Sequence, residues 1–217
     1  MRMLTAVAAL AFTSAFALAL AAPAAAAGDP PHLSLRPFAM ISAQDFAAGD
    51  TFNAVFGERS GLLWGGGVSV TQKDRYYLDL TASRFNKTGQ RAFRDMNGDV
   101  FRLAIPVRAT LVPFELTGGY RFHRWRHVVP YGGGGIGFYH YKEDSDFANP
   151  GESIDTSHVG AVVEGGVEVR LHRWISAGAD VHYTYVPGIL GTGGISQQVD
   201  ENNLGGVSLR LKVLVGR

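Results

Sequence analysis

The chain has 217 residues, a formal net charge of +1, 28 glycines and no cysteine. Disulfides, thiol catalysis and thiolate metal sites are therefore excluded, and the near-neutral balance gives no reason to expect nucleic acid as a partner. Length allows one sizeable domain.

In chain order, Met1-Arg2-Met3 carries one positive charge, Leu4 to Leu20 is apolar, and Ala21 to Ala27 is small and proline-marked. This is the plan of a secretory signal peptide over residues 1–27, cleaved after Ala25-Ala26-Ala27. Residues 28–217 remain as a single domain. No later run of ~18 apolar residues offers a transmembrane helix.

Leu33 to Ile41 reads as a first strand, with Leu33, Leu35, Ala39 and Ile41 on one face and Arg36 on the other. Pro37 suggests a bulge or a poorly paired end. Ser42 to Gly61 is a loop. Its centre, Ala43 to Phe56, has the spacing of a short amphipathic helix, weakened by Gly49-Asp50. Leu62 to Thr71 is a glycine-rich second strand and Gln72 to Arg75 a tight turn. Tyr76 to Phe85 is a third strand, with Tyr76, Leu78, Leu80 and Ala82 opposed to Tyr77, Asp79, Thr81 and Ser83. Asn86 to Ile105 is polar, carries turn signals at Gly89 and Asn97-Gly98-Asp99, and has room for a hairpin extension around Arg91 to Phe101.

Pro106 to Phe122 is a fourth strand, kinked at Pro113, with Glu115, Thr117 and Arg121 on its polar face. His123 to His127 is a basic turn holding Trp125. Val128 to Lys142 is a fifth strand whose four consecutive glycines, Gly132 to Gly135, permit sharp curvature and blur its faces. Glu143 to Thr156 is an acidic loop.

Ser157 to Tyr185 is the most regular stretch. Val159, Ala161, Val163, Val167, Val169 and Leu171 alternate with polar, charged or glycine positions including Glu164, Glu168 and Arg170, and only Val162 breaks the pattern. Ile175, Ala177, Ala179, Val181, Tyr183 and Tyr185 alternate with Ser176, Gly178, Asp180, His182 and Thr184. A period of two with a very short connection is a β-hairpin, here the sixth and seventh strands. Val186 to Asn202 is a glycine-rich loop. Leu204 to Val215 is the eighth strand, with Ser208, Arg210 and Lys212 on its polar face.

Connections of roughly 14–20 residues alternate with connections of about three to six, the asymmetry of outer-membrane barrels with short turns at one end and long loops at the other. The pattern predicts an all-β fold: an eight-stranded antiparallel up-and-down transmembrane β-barrel. Three features favour lipid outside and charge inside. Small residues such as Ala177 and Ala179 sit on the apolar faces, where a packed core would want volume filled. Trp125 and Trp174 lie at the turn end, and Tyr183 and Tyr185 at the loop end, as membrane-interface aromatics do. The polar faces carry both signs: Arg36, Asp79, Glu115, Arg121, Glu164, Glu168, Arg170, Asp180, His182, Arg210 and Lys212 are the candidate lumen network. An eight-stranded barrel is barely wide enough for its own side chains, so these can pair and close it.

The segment Pro130-Tyr131-Gly132-Gly133-Gly134-Gly135-Ile136-Gly137, followed by Val163-Glu164-Gly165-Gly166-Val167-Glu168 and its hairpin, resembles the small outer membrane protein β-barrel superfamily of Gram-negative envelopes, related to OmpA-type and OmpW-type proteins. The likeness spans Leu33 to Val215. The chain ends Val213-Leu214-Val215-Gly216-Arg217, where such barrels usually end in an aromatic residue. The resemblance implies residence in the cell outer membrane, contact with the lipid bilayer and lipopolysaccharide, insertion by the outer-membrane assembly machinery, and a monomer.

A search for chemistry finds Ser157, His158, Glu164, Glu168, Ser176, Asp180 and His182 near one another by strand pairing. Most share the lumen face, whereas a catalytic set acting on lipid should open towards the membrane. His140 and His158 flank the loop end without a distinctive serine spacing. Asp95 to Asp99 lacks the ligand spacing of a calcium loop, and Gly132 to Gly135 is followed by no Lys-Ser/Thr of a phosphate loop. No catalytic, cofactor or metal residue is assigned. The expected role is structural or interactive, with a plugged lumen and outward loops. The alternatives are a narrow channel for small or apolar solutes and a soluble periplasmic ligand-binding barrel.

Overall fold

Strict alternation sets both the strands and their faces. The computed structural model describes residues 33–95, 100–122, 125, 127–145, 154–191 and 194–216. The predicted leader, residues 1–27, lies outside them. Eight strands run β1 (Leu33–Phe46), β2 (Ser60–Gln72), β3 (Tyr76–Arg94), β4 (Val100–Arg121), β5 (Val128–Ser145), β6 (Ile154–His172), β7 (Ile175–Tyr185) and β8 (Gly206–Val215). Each pairs antiparallel with its sequence neighbour, and β8 closes on β1 through Phe38↔Leu214 to Phe46↔Gly206. Closure leaves no sheet edge, which lets strands cross lipid with their backbone groups satisfied.

The apolar residues point outward. Val159, Val163, Leu209 and Leu211 are all more than half exposed, while Glu164, Glu168, Arg210 and Lys212 between them are buried. Lipid takes the place of a protein core, and the polar faces make the interior. Val162 faces that interior as well and is buried, so the alternation runs through it unbroken.

Several elements differ from expectation for identifiable reasons. Pro37 sits in regular register with Val68 and forms no bulge, but β1 pairs with β8 only from Phe38 onward, so it stands where that ladder has ended. Opposite Val112-Pro113 the β3–β4 ladder lapses and then resumes in the same register, while Pro113 still pairs with Tyr139. A missing N–H interrupts one ladder without bending the strand out of the other. The hairpin extension is realised: β3 and β4 continue to Arg94 and Val100, with a register shift between Gln90 and Ala92. Leu204 belongs to no strand. Gly205 and Gly206, the latter at φ 141°, turn the chain, and Leu204 folds into the loop-end core.

The helix expected over Ala43 to Phe56 forms only as α1 (Gly49–Phe56): Ala43 to Phe46 continue β1, and Gly49-Asp50, read as weakening the helix, instead starts it. An acidic residue in the first turn suits the positive end of a helix. The Glu201 carboxylate completes that end, accepting from the backbone N–H of Asp50 at 3.0 Å and of Thr51 at 2.8 Å. Gly57, in the left-handed region at φ 78°, closes the other end with its N–H on the Asn53 carbonyl. A short helix α2 (Gly194–Gln198) lies in the last long connection.

Candidate functional site

The lumen is the chemically dense part of the molecule, and period two explains how it is filled. Inward positions of β1, β3, β4, β6, β7 and β8 deliver Arg36, Asp79, Glu115, Arg121, Glu164, Glu168, Asp180, His182, Arg210 and Lys212, all buried. Towards the turn end, Arg36 grips Glu168 with both terminal nitrogens, at 2.7 and 3.1 Å, and Arg121 Nη1 donates to the same carboxylate at 2.7 Å. At mid-height Arg210 is the hub. Its Nε donates to Asp180 Oδ1 at 2.6 Å, its Nη2 donates to Glu164, and its Nη1 lies 3.6 Å from Glu115. Lys212 Nζ lies 3.2 Å from Asp180 and 3.5 Å from Asp79.

Three tyrosines complete the carboxylates' hydrogen bonds: Tyr77 to Glu164 at 2.8 Å, Tyr131 to Asp180 at 2.6 Å and Tyr139 to Glu115 at 2.8 Å. The sequence reading did not assign them, although Tyr77 shares the parity of Asp79 and was legible by that rule. The glycine run has its explanation here. A methyl group on Gly133 would sit 2.5 Å from the Tyr77 hydroxyl and 2.3 Å from the Gly118 carbonyl oxygen. The inward glycines leave the space that the tyrosine rings occupy.

Arg170 does not join this network. Its strand end lies beside the β6–β7 register shift between Arg170 and His172, and its guanidinium reaches Asp74 in the first tight turn at 2.8 Å, largely exposed. Trp125, Trp174, Tyr183 and Tyr185 all lie on the exposed surface. Trp64, Tyr76 and Phe122 add to the exposed aromatics, with half-buried Tyr120 packed between the last two, and were not singled out from sequence as interface residues.

Apolar residues pack together at the loop end of the lumen. Phe52 of α1 stacks on Phe46 with ring centroids 4.1 Å apart, and Phe85, Leu111, Tyr141, Ile189 and Leu204 surround them. The long β3–β4 arm holds this plug. Arg102 donates to the α1 carbonyls of Ala54 and Asn53, both at 2.9 Å, so a cation meets the negative helix end. Lys87 pairs with Glu58 just beyond at 2.7 Å and holds that exposed carboxyl below its usual value of 4.5. Below the plug, a cavity of about 10 Å³ beside Arg121, Glu168 and Lys212 has room for about one water.

The serine and histidine candidates separate into two faces. Inside, His182 lies 3.4 Å from Ser208 Oγ through Nδ1 and 3.3 Å from Glu115 through Nε2, and the set is buried. His158 meets Thr156 at 3.4 Å, and Ser176 stands apart at the turn end, opposite Arg170. Outside, at the loop end of the wall, His140 Nδ1 lies 3.0 Å from Ser157 Oγ, and its Nε2 lies 3.6 Å from Asp155 Oδ1. Among the described residues, no cluster of three or more His, Asp or Glu side chains has the spacing to hold a metal ion.

A family model described as the outer membrane protein beta-barrel domain matches residues 12–210. No sequence among the curated proteins matches. Three similar solved structures agree in fold. The chain is 15% identical to the N-terminal β-barrel domain of Pseudomonas aeruginosa OprF, with a TM-score of 0.50 over 85% of this chain and 97% of that one. It is 11% identical to Ail, the attachment invasion locus protein of Yersinia pestis, solved with the heparin analogue sucrose octasulfate, with a TM-score of 0.51 over 85% and 98%. It is 13% identical to Neisserial surface protein A, with a TM-score of 0.52 over 86% and 98%.

Proposed function

The chain belongs to the outer membrane protein β-barrel domain family, and on that premise we propose that it is a closed structural and interaction barrel rather than a passage. Family membership places it in the outer membrane, which removes the soluble periplasmic carrier from consideration. The observation that carries the reading is the doubly sealed lumen. A charge network centred on Arg210 fills mid-height, and the Phe46–Phe52 stack closes the loop end. The cavity beside Arg121, Glu168 and Lys212 has room for about one water. The apolar wall meets the bilayer and lipopolysaccharide, the assembly machinery inserts the chain as a monomer, and the extended β3–β4 arm presents the binding surface outward.

The test is conductance. The chain refolded into planar bilayers is expected to show no discrete current steps. Its folding is read independently from a gel mobility that shifts on boiling. Reproducible steps from the folded protein would overturn the closed reading in favour of the narrow channel.

A further inference from the structure

The lipid-facing wall carries a second Ser–His–carboxylate set, and this one is open. Ser157 and Asp155 occupy successive outward positions of β6, and His140 stands directly across from Ser157 on β5. The Ser157 hydroxyl lies 3.0 Å from His140 Nδ1, and the Asp155 carboxylate lies 3.6 Å from His140 Nε2. Such an order, nucleophile to base to orienting carboxylate, is what activates a serine hydroxyl. The buried set of Ser208, His182 and Glu115 has the same residue types but no approach for a substrate.

Position on the wall names the substrate class. One outward step towards the turn end come Phe114, Phe138 and Val159, each about half exposed or more. One step the other way come Thr110, Lys142 and Asp155, which pair with or neighbour one another across β4, β5 and β6. The set therefore lies where the apolar wall gives way to polar residues, the depth at which a membrane lipid carries its acyl ester bonds.

We propose that Ser157, His140 and Asp155 form a hydrolytic site for ester-linked acyl chains of membrane lipids. Ser157 Oγ attacks the ester carbonyl carbon while its proton passes to His140 Nδ1. The tetrahedral intermediate collapses with cleavage of the bond to the alcohol oxygen, which leaves with that proton. Water then adds to the acyl-serine, giving its proton to Nδ1, and Ser157 Oγ departs and regains it. The products are one fatty acid and one deacylated lipid. The Asp155 carboxylate, 3.6 Å from Nε2 and so beyond hydrogen-bond distance, stabilises the imidazolium by its charge. Lys142, in register with Asp155, is paired with Asp144 at 2.9 Å and would have to leave that carboxylate to supply positive charge to the developing oxyanion. The proposal rests on the wall facing lipid, not on the closed lumen.

The test uses the full chain refolded in dioleoylphosphatidylglycerol vesicles and in detergent micelles, with folding checked by the boiling-dependent mobility shift. Two readouts are taken: oleate release by mass spectrometry, and covalent labelling by a fluorophosphonate, which needs only an activated serine. Folded wild type is expected to release oleate and to carry the label on Ser157. Ser157→Ala should abolish both, and His140→Gln should slow both by about 10²-fold or more. Ser208→Ala, inside the lumen, should leave both unchanged. Folded wild type that neither releases oleate above the Ser157→Ala level nor labels at Ser157 overturns the proposal. A wild type that never shows the mobility shift would overturn the membrane placement itself.

Discussion

Replacing Arg210 with methionine keeps a flexible stem of similar reach and deletes the charge that Asp180, Glu164 and Glu115 share. The guanidinium is 2% exposed, and its partners are as deeply buried. Breaking a buried ion pair from one side costs about 3–5 kcal/mol, because the remaining charge keeps its desolvation penalty without its partner. Here the loss is cushioned. Lys212 remains 3.2 Å from Asp180 and 4.0 Å from Glu164, and His182 remains 3.3 Å from Glu115. The lower end, ~3 kcal/mol, is therefore expected, about a hundredfold in the folding equilibrium. Urea unfolding in micelles, followed by tryptophan fluorescence and by the boiling-dependent mobility, measures it. Adding Glu164→Gln to Arg210→Met should recover part of the loss, since contacting residues couple by ~0.5–3 kcal/mol. A single variant within ~1 kcal/mol of wild type, with no recovery in the double, would show that the lumen carboxylates are not held as charges by Arg210.

Three further outcomes follow from the same geometry. Gly133→Ala should destabilise by ~2 kcal/mol or more, since its methyl meets the Tyr77 hydroxyl and a backbone carbonyl, whereas Gly132→Ala, whose nearest neighbour would be 3.7 Å away, should change little; paired urea midpoints decide it. Phe52→Ala removes the ring stacked on Phe46 and should cost ~3–5 kcal/mol of plug packing, read as faster hydrogen exchange over Gly49–Phe56 while the wall stays protected. Lys87 lowers the Glu58 carboxyl below 4.5, and a depressed folded value means that the pair's contribution is fully present above the unfolded value and is lost as pH falls through the folded one. Protection of the amides at residues 57–60, measured against their intrinsic exchange rates at each pH, should therefore fall as pH drops below 4.5, and Lys87→Gln should remove that step.

Where one face of a strand meets lipid, the sequence is highly legible. Parity alone assigned Glu164, Asp180 and Arg210 to the interior: Asp180 and Arg210 sit between outward aliphatics, and Glu164 follows outward Val163. Parity failed where strands end. Arg170 has the right parity but lies at the mouth, where a register shift and a nearby turn carboxylate redirect it. The Gly49-Asp50 signal was misread because glycine and aspartate that break a helix interior are suited to its first turn, and the Glu201 cap arrives from 150 residues away. The outward serine site was invisible for a related reason. Ser157 and Asp155 are two apart on one strand, but their histidine comes from the neighbouring strand across a loop, so cross-strand register, not spacing, brings it into place.

The lumen network also answers a question that the apolar wall cannot. Lipid accepts any aliphatic side chain at any height, so the outside of such a barrel discriminates poorly between neighbouring registers. The inside does discriminate. A slip of one residue in β8 would turn Ser208, Arg210 and Lys212 to the bilayer and Val207, Leu209 and Leu211 to the lumen. A cation facing the bilayer midplane costs ~2–4 kcal/mol, so the two cations alone oppose the slip by roughly 4–8 kcal/mol. The same slip would strip Asp180, Glu164 and Asp79 of their partners. Arg210 and Lys212 thus connect β8 to carboxylates on β3, β4, β6 and β7 in one register only, and the charges buried at mid-height of the lumen are the charges that align the strands.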